Sequence, residues 1–285
     1  MVSQENGYLN LLQEMVNESE TGQLVQDRTG VGTYNLFHRS LRFDISKEFP
    51  LLTTKKMSIK SILGELLWFI SGSTNALELE EKYGCTIWRE WMLPNGELNR
   101  VYGAQWRSFG YAEIDSWDCY NDEPDIEVVG GFDQISWLID EIKLNPTSRR
   151  LYVTSAAPQD RCIQQLDCCH NYFQVVIKNG KLNLYFQMRS TDVFLGLPYN
   201  IASYALLAHM LALETGYEVG ELIYSGVDVH LYSNHIEQAK EQLKREPKCF
   251  PTLVVNRKPF FDYNLDDFKV IGYESHPTIK ADVAV

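Results

Sequence analysis

Residues 172–216 contain the pattern that most restricts how this chain can fold. Two β-rich runs flank Asn179-Gly180, a turn pair that tolerates positive φ and is typical of a tight hairpin. Strand alternation divides the second run into two faces, with Leu184, Phe186 and Met188 on one and Tyr185, Gln187 and Arg189 on the other. A long apolar helix is then predicted from about Ile201 to Leu213, ending near Gly216. A hairpin followed by such a helix predicts a sheet with a helix packed against it.

The rest of the chain continues these signals without a linker, a low-complexity break or an internal repeat. A first amphipathic helix is outlined by Tyr8, Leu11, Leu12, Met15 and Val16. Residues 34–45 are typical of a strand, and residues 59–70 of a strongly apolar helix. We therefore predict one domain over residues 1–285, of the mixed α+β class.

One segment departs from this pattern. Residues 113–127 hold seven Asp or Glu, and no Lys or Arg occurs from 108 to 142. Charge runs of this kind are typical of solvated surface. We interpret residues 111–130, approximately, as an acidic insertion in the domain.

Composition excludes several classes of protein. The chain has 45% hydrophobic residues, as a packed core requires, and a net charge of −12, which disfavours nucleic acid as a main partner. No apolar run reaches the length of a membrane span, and the start MVSQENG lacks the regions of a signal peptide. We expect no membrane association and a cytoplasmic location, in a cell or in a host cell if the chain is viral.

The six cysteines, at 85, 119, 162, 168, 169 and 249, are then expected to stay reduced. No pair has the spacing of a zinc knuckle, so a metal site is not expected. Cys168 and Cys169 stand side by side before His170 at the head of a β-rich run. Buried cysteines most often act as small hydrophobic residues, so a reactive thiol and two core residues both remain open. Two roles remain open for His170: a residue that orients the site, or a hydrogen-bonded core histidine.

A carboxylate is expected on the buried side of the second helix. Glu65 follows Ile62 by three residues and precedes Phe69 by four, positions that share one helix face. A buried carboxylate without a partner is costly. The placement therefore favours a functional role for Glu65.

Longer runs carry a resemblance across nearly the whole chain. They are DRTGVGT (27–33), FPLLTTKK (49–56), ELLWFISGSTN (65–75), VYGAQWR (101–107), SRR (148–150), CCHNYFQ (168–174), RSTDVFLGLPYNIASYALL (189–207), DVHLYSNH (228–235) and the C-terminal HPTIKADVAV. Together, and in this order, they resemble the folate-dependent thymidylate synthase family. The resemblance implies that family's α+β fold, with a mixed β-sheet, long helices and a homodimer formed through the sheet.

The resemblance also implies an activity and a catalytic set. The expected reaction is transfer of a one-carbon unit from 5,10-methylenetetrahydrofolate to C5 of dUMP, giving dTMP and dihydrofolate, with no metal. A thiolate must add at C6 to make C5 nucleophilic, and Cys169 matches the family's thiolate. The other matching catalytic positions are Glu65, Tyr102, Arg189, Asn200 and Asp192.

Further positions match the family's binding residues. Those expected to hold dUMP are Arg28, Arg149, Arg150, Arg189 and Ser190 at its phosphate, Asn200 at its pyrimidine edge, and His230 and Tyr232 at its sugar hydroxyl. In the family the SRR pair serves the partner subunit, and asparagine at the position of Asn200 selects uracil over cytosine. Those expected to hold the reduced folate are Lys55, Trp88, Trp91, Leu166, Asp192, Leu195, Gly196, Tyr199, Ala284 and Val285.

Departures from the family pattern cluster near the expected site. Ala156-Ala157 replace a common Trp-Asn, and Asp167-Cys168 replace a small residue and proline. Met188 replaces a usual glutamine, and Arg89 an acidic or amide residue. These changes leave a second activity open, because related enzymes let water attack the intermediate and make 5-hydroxymethyl-dUMP and tetrahydrofolate. A silent nucleotide- or RNA-binding homologue is a third alternative, opposed by the intact catalytic set.

Overall fold

The computed structural model describes residues 3–26, 28–110 and 131–284. The predicted acidic insertion at 111–130 and the predicted folate contact Val285 lie outside the described residues. The α-helices in chain order are α1 (Glu5–Thr21), α2 (Ile59–Ser71), α3 (Ala76–Tyr83), α4 (Tyr102–Arg107), α5 (Gln134–Leu144), α6 (Gly196–Thr215) and α7 (Ile236–Leu243). The strands are β1 (Thr33–Asp44), β2 (Tyr152–Thr154), β3 (His170–Lys178), β4 (Lys181–Asp192), β5 (Glu218–Tyr232), β6 (Thr252–Val255) and β7 (Phe268–Ile271).

Five strands form one mixed sheet in the order β1-β5-β4-β3-β2. Strands β4 and β5 are parallel, and the other neighbours in this sheet are antiparallel. Helix α6 joins β4 to β5, as a parallel pair requires, and packs against both. The described chain is therefore a single α+β unit with a mixed sheet, as predicted.

The predicted hairpin and its alternation are confirmed. Asn179 has a φ of 53° and Gly180 a φ of 73°, the values that a tight hairpin turn requires. In β4 the residues from Leu184 to Met188 alternate between buried and half-buried, with Phe186 fully buried between them. The buried face of the sheet therefore packs on the helices, and the opposite face carries Tyr185 and Arg189.

Helix α6 begins five residues earlier than predicted. The apolar pattern indicated a start near Ile201, whereas the helix starts at Gly196. Pro198 lies in its first turn, where a missing backbone N–H costs no hydrogen bond. The early start places Tyr199 and Asn200 on the helix rather than in a loop.

The opposite face of the sheet is open within one chain. Three tyrosine rings follow one another across β2, β3 and β4, with centroids 5.5 Å apart for Tyr152–Tyr172 and 6.3 Å apart for Tyr172–Tyr185. Tyr152 is 42% exposed and Val176 is 51% exposed. This open face is the part of the described surface that a second sheet could cover.

Phe109 and Phe132 pair with each other between α4 and α5. The backbone N–H of Phe109 donates to Phe132 O at 2.9 Å, and that of Phe132 donates back at 2.8 Å. This antiparallel bridge joins the end of α4 to the start of α5. The spacing of α4 and α5 is therefore set by described residues.

Candidate active site

Cys169 lies directly before β3, at the end of the loop that follows β2. Its backbone N–H donates to the hydroxyl oxygen of Tyr102 on α4 at 2.7 Å. Its side chain is half-buried, whereas that of Cys168 is only 1% exposed. Of the two adjacent thiols, the structure therefore gives solvent access to Cys169.

Arg189 on β4 holds the loop in front of this thiol. Its Nε donates to Cys168 O at 3.1 Å and its Nη2 donates to Asp167 O at 2.7 Å. The same Nη2 is 3.8 Å from Cys169 Sγ. The guanidinium therefore fixes the backbone around Cys169 and places a positive charge beside its sulfur.

Burial and two neighbouring charges together set the pKa of the Cys169 thiol. Burial raises the pKa of Cys169, and the Arg189 guanidinium lowers it, while the Asp167 carboxylate raises it further. The net shift of the pKa is upward, because burial outweighs the lowering by Arg189. Cys168 has a pKa raised far above its ordinary value, because it is buried and lies next to Cys169 and Asp167.

His170 is a core residue that supports Tyr102. The two rings stack with centroids 3.9 Å apart, and His170 Nδ1 is 2.9 Å from the hydroxyl oxygen of Tyr204. Burial lowers the pKa of His170 to about 3, so the imidazole is neutral at physiological pH. Of the two alternatives left open by the sequence, the core position is confirmed. Sequence reasoning missed Tyr204, whose contact with His170 crosses 34 residues.

Glu65 on α2 is buried, as its helix position predicted. Trp88 Nε1 donates to Glu65 Oε1 at 2.8 Å. Burial raises the pKa of Glu65 to about 7, although this hydrogen bond acts in the opposite direction. The carboxyl group is therefore half protonated near neutral pH, which suits a group that gives and takes protons.

An aromatic cluster joins Glu65 to the neighbourhood of Cys169. The Phe69 ring is 4.8 Å from the Tyr102 ring and 6.3 Å from Trp88, and Trp88 is 6.0 Å from Tyr102, all between centroids. Phe69 was not predicted as a site residue. The cluster positions the predicted acid and the predicted thiol in one environment, although they lie on different elements.

The parallel pairing of β4 and β5 brings a second group together. Asp192 is the register partner of His230, and the N–H of Val193 donates to His230 O at 2.9 Å. The ring of Tyr232 lies edge-on to that of His230, with centroids 5.2 Å apart. Of the two residues predicted to hold a sugar hydroxyl, His230 is therefore a neighbour of Asp192, and Tyr232 packs against His230.

His230 is oriented by residues that sequence reasoning missed. Its Nδ1 is 3.3 Å from Asp228 Oδ1, which also accepts from Asn35 Nδ2 at 2.8 Å. Asp228 stands two residues before His230, a spacing that shares a strand face, and this was the available signal. The contact with Asn35 crosses from β1 and gives no local signal.

Asn200, Asp192 and Gly196 converge at the start of α6. A Cβ added to Gly196 would lie 3.7 Å from Asn200 Oδ1 and 3.8 Å from Asp192 Cβ. Asp192 Oδ1 accepts from the backbone N–H groups of Phe194 and Leu195, at 2.9 and 3.1 Å. The backbone thus fixes one carboxylate oxygen. Tyr199 is half-buried on the same turn, and burial raises its pKa.

Lys55 is buried, and its ammonium is engaged inside the protein. Its Nζ donates to Phe194 O and lies 3.9 Å from the centroid of the Phe194 ring. Burial lowers the pKa of Lys55 to about 7, although the Asp192 carboxylate raises it. In this conformation Lys55 braces the segment before α6, and its contact with folate stays a prediction.

The remaining predicted folate positions differ in their surroundings. Trp91 packs edge-on against Trp88 with centroids 6.0 Å apart, and its buried Nε1 has no hydrogen-bond partner among the described residues. Leu166 is half-buried in the loop before Cys169, and Ala284 is half-buried near the C-terminus. The tail is held where His235 Nε2 is 2.7 Å from Asp282 O.

The other predicted phosphate ligands are less enclosed. Ser190 is half-buried beside Arg189 on β4, whereas Arg28, Arg149 and Arg150 are exposed. Among the described residues, no carboxylate lies within ion-pair distance of these three arginines. The structure therefore brings Arg189 to the thiol, with Ser190 next to it on β4, and places Arg149 and Arg150 directly before β2.

Two departures from the family pattern have different structural outcomes. Arg89, at a position where an acidic or amide residue is usual, pairs through its guanidinium with Glu80, at 2.5 and 2.7 Å. This ion pair holds Arg89 against α3. Ala156, in contrast, is exposed on the loop after β2, where a larger side chain would project.

The described ranges contain neither a candidate metal centre nor a candidate membrane-spanning helix. No group of three or more His, Cys, Asp or Glu among these residues is arranged to hold a metal ion. None of the described helices is both long and apolar enough to cross a membrane.

Comparison with known protein families gives one match over nearly the whole chain. The family model described as thymidylate synthase matches residues 6–285. The match covers α1 to the C-terminus, including the loop of Cys169 and the paired ends of β4 and β5. On this evidence the chain belongs to the thymidylate synthase family.

Proposed function

We propose that this chain is a thymidylate synthase, which transfers a one-carbon unit from 5,10-methylenetetrahydrofolate to C5 of dUMP and releases dTMP and dihydrofolate. The observation that carries the proposal is the position of the Cys169 thiol. It is half-buried, 3.8 Å from Arg189 Nη2, with its backbone fixed by Tyr102. A positioned thiol beside a cation is suited to nucleophilic addition.

The first step assigned to the chain is addition of Cys169 Sγ to C6 of uracil. The new S–C6 bond moves the electrons of the C5–C6 double bond toward O4, so that C5 becomes the nucleophile. Arg189 favours the thiolate form by its charge. Because burial alone keeps the thiol protonated, the reactive form depends on this cation.

Glu65 is assigned the proton transfers near O4 and C5. Its pKa of about 7 allows it to be acid and base in one cycle. Trp88 fixes one of its oxygens, so the proton moves at the other, Oε2. Water links Glu65 to the pyrimidine, as the resemblance implies.

Binding of dUMP is divided between three groups of residues. Asn200 offers an amide donor and an acceptor to the pyrimidine edge. His230 and Tyr232 hold the sugar hydroxyl, with His230 oriented by Asp228. Arg189 and Ser190 meet the phosphate together with Arg28, Arg149 and Arg150.

The reduced folate is assigned to the space next to Trp88 and Trp91. The buried Nε1 of Trp91 lacks a partner among the described residues, and a buried donor of this kind is normally satisfied by a ligand or water. The folate supplies the one-carbon unit and, for a methyl product, the hydride. Asp192, with one oxygen fixed by the backbone, keeps its other oxygen for the pterin.

Product analysis tests the proposal. Incubation of the protein with dUMP and methylenetetrahydrofolate is expected to give dTMP by mass spectrometry, with one dihydrofolate per dTMP detected by absorbance. Formation of 5-hydroxymethyl-dUMP with release of tetrahydrofolate would instead assign the hydroxymethylase activity. Binding of dUMP without any product would identify a silent homologue.

One observation favours the hydroxymethyl alternative. Ala156 is an exposed small residue where family members commonly carry tryptophan, so the bulk of that side chain is missing from the loop after β2. A water molecule needs only about 10–15 Å³ of free volume and polar partners. The Ala156→Trp variant is the matched control, since it refills this position and lowers any hydroxymethylated fraction.

Selection of the base provides the next prediction. Asn200→Asp is expected to reduce kcat/KM for dUMP about 100-fold and to permit measurable turnover of dCMP, because a carboxyl group can meet the cytosine amino group that the amide N–H₂ opposes. Steady-state kinetics with both nucleotides measures the change. Equal use of dUMP and dCMP by the unmodified protein would remove the assigned role of Asn200.

We also propose a homodimer formed through the open face of the sheet. The exposed rings and aliphatic side chains of that face, which include Tyr152 and Val176, form the kind of surface that a second copy covers. Arg149 and Arg150 are exposed directly before β2, the edge strand of this sheet. We assign both to the partner's phosphate site, as the resemblance implies.

Mixing two inactive variants tests this shared site. Cys169→Ser and Arg149→Glu chains are expected to recover about a quarter of full activity when mixed, since half of the dimers are mixed and one of their two sites is intact. Mass spectrometry of intact dimers must show subunit exchange. No recovery in exchanged dimers would mean that each phosphate site is built within one chain.

A further inference from the structure

Asp167 is a carboxylate next to the candidate nucleophile that the proposed reaction does not use. Its Oδ2 is 3.4 Å from Arg189 Nε and 3.5 Å from Arg161 Nε. One carboxylate oxygen is therefore shared by two guanidinium groups. The side chain of Arg161 is 65% exposed and that of Asp167 is 35% exposed, so an anion from solvent can reach both.

Among the described residues, the Arg189 guanidinium makes its contacts through one edge, formed by Nε and Nη2. Its Nε and Nη2 contact the carbonyl groups of Cys168 and Asp167, and Nη2 also faces Cys169. Its Nη1 has no hydrogen-bond partner among the described residues. A phosphate approaching Arg189 therefore finds one free nitrogen, with the Asp167 carboxylate already close to the same guanidinium.

The charges make Asp167 and a phosphate competitors. A carboxylate beside Arg189 satisfies part of its positive charge and repels a second anion. Arg161 acts in the opposite direction, because it draws on the same carboxylate oxygen from the solvent side. In the Arg161–Asp167–Arg189 group, one negative charge therefore lies between two positive charges.

We propose that Asp167 is a positioning residue whose carboxylate competes with the nucleotide phosphate for Arg189, and that Arg161 limits this competition by holding the same carboxylate. The proposal rests on the assignment of Arg189 to the phosphate given above. It gives the site a means of specificity, since a 5′-monophosphate, with nearly two negative charges at neutral pH, displaces one carboxylate better than a singly charged anion does.

The same ion pairs act on the nucleophile. Cys169 faces Arg189 from β4, Tyr102 from α4, and Asp167 and Cys168 from its own loop. Arg189 favours its charged form, and Asp167 disfavours it. Reactivity of the thiol therefore reports the balance of the three charges without any nucleotide.

Two measurements on Asp167→Asn test the proposal. The dissociation constants of inorganic phosphate and of dUMP, measured by calorimetry, are expected to fall about 3- to 5-fold, the range of an exposed ion pair. Alkylation of Cys169 by iodoacetamide at pH 7, followed by mass spectrometry of the cysteine peptides, is expected to accelerate about 3-fold. Unchanged alkylation and unchanged phosphate affinity would overturn the proposal.

Arg161→Gln is expected to change both quantities in the opposite direction. Without Arg161 the carboxylate acts on Arg189 alone, so phosphate binds about 3-fold more weakly and Cys169 reacts more slowly. In the Asp167→Asn background the same change is expected to have no effect on phosphate. A loss that persists there would overturn the proposal, because Arg161 would then bind the anion itself.

Matched controls separate these effects from general changes of charge. Asp140→Asn on α5 and Lys244→Gln directly after α7 remove one exposed charge each, far from the loop in sequence, and are expected to leave both readouts unchanged. Thermal unfolding checks that all variants are folded. Normal turnover of dUMP with unaltered affinities would refute the role of Asp167 alone, whereas absence of dUMP binding and turnover in the unmodified protein would refute the proposed function.

Discussion

Turnover is expected to fall by about 10⁴-fold or more in Cys169→Ser, while binding of dUMP survives. A serine hydroxyl is far less acidic than a thiol, so the adjacent Arg189 cannot supply an anionic nucleophile. The substitution is nearly isosteric and leaves the hydrogen bond from the residue 169 N–H to Tyr102 in place. Product formation and calorimetric titration with dUMP measure the two quantities separately.

Cys168→Ser is the matched control, since it makes the same change one residue earlier. Cys168 is 1% exposed, and burial raises its pKa strongly, so it is neither accessible nor ionised. Most of the activity is expected to remain. An inactive Cys168 variant together with an active Cys169 variant would show that the wrong thiol was chosen.

Glu65→Gln is expected to lower kcat about 100-fold or more and, above neutral pH, to stabilise the fold. Loss of the proton-transfer group explains the first effect. The second follows from burial, which raises the pKa of Glu65 to about 7 from 4.5. At high pH, ionisation of this buried carboxyl group destabilises the folded protein. Glutamine stays neutral and still accepts the hydrogen bond from Trp88.

The raised pKa of Glu65 makes the stability of the folded protein depend on pH. Between about pH 4.5 and 7 the folded state holds a proton on Glu65 that the unfolded state has lost, so stability decreases as pH rises through this range. The difference amounts to about 3 kcal/mol at pH 8. Relative to the unmodified protein, Glu65→Gln is therefore expected to be equally stable at pH 4 and more stable at pH 8.

Chemical unfolding at several pH values measures this difference, and Glu90→Gln is the control, since Glu90 is exposed. Equal destabilisation by Glu65→Gln at every pH would mean that the charged carboxylate is well satisfied in the folded state. A loss of stability with no loss of kcat would reduce Glu65 to a structural residue.

Local periodicity predicted the parts of this structure that depend on near neighbours. The spacing of Ile62, Glu65 and Phe69 placed the carboxylate on the buried side of α2, and it is buried. Alternation along β4 also held, because the pleat of a strand fixes the direction of successive side chains. The start of α6 was wrong by five residues, since Pro198 is compatible with a first helical turn.

The assembly of the site depends on long-range pairing, which periodicity does not report. Asp192 meets His230 only because β4 and β5 are parallel neighbours. The contact of Asn35 with Asp228 spans 193 residues. The resemblance to the family named most of the residues that meet there, but it did not predict the neutral His170 beneath Tyr102, nor the ion pair that draws Arg89 to Glu80.

The bridge between Phe109 and Phe132 holds the end of α4 beside the start of α5. Because these two residues pair through both of their backbone hydrogen bonds, the distance between their backbones is fixed by described residues alone. The entropic cost of closing a loop grows only slowly with its length, by about 0.6 kcal/mol for each doubling. A change in the number of residues between these two phenylalanines is therefore expected to alter the free energy of unfolding only slightly, as long as the bridge remains.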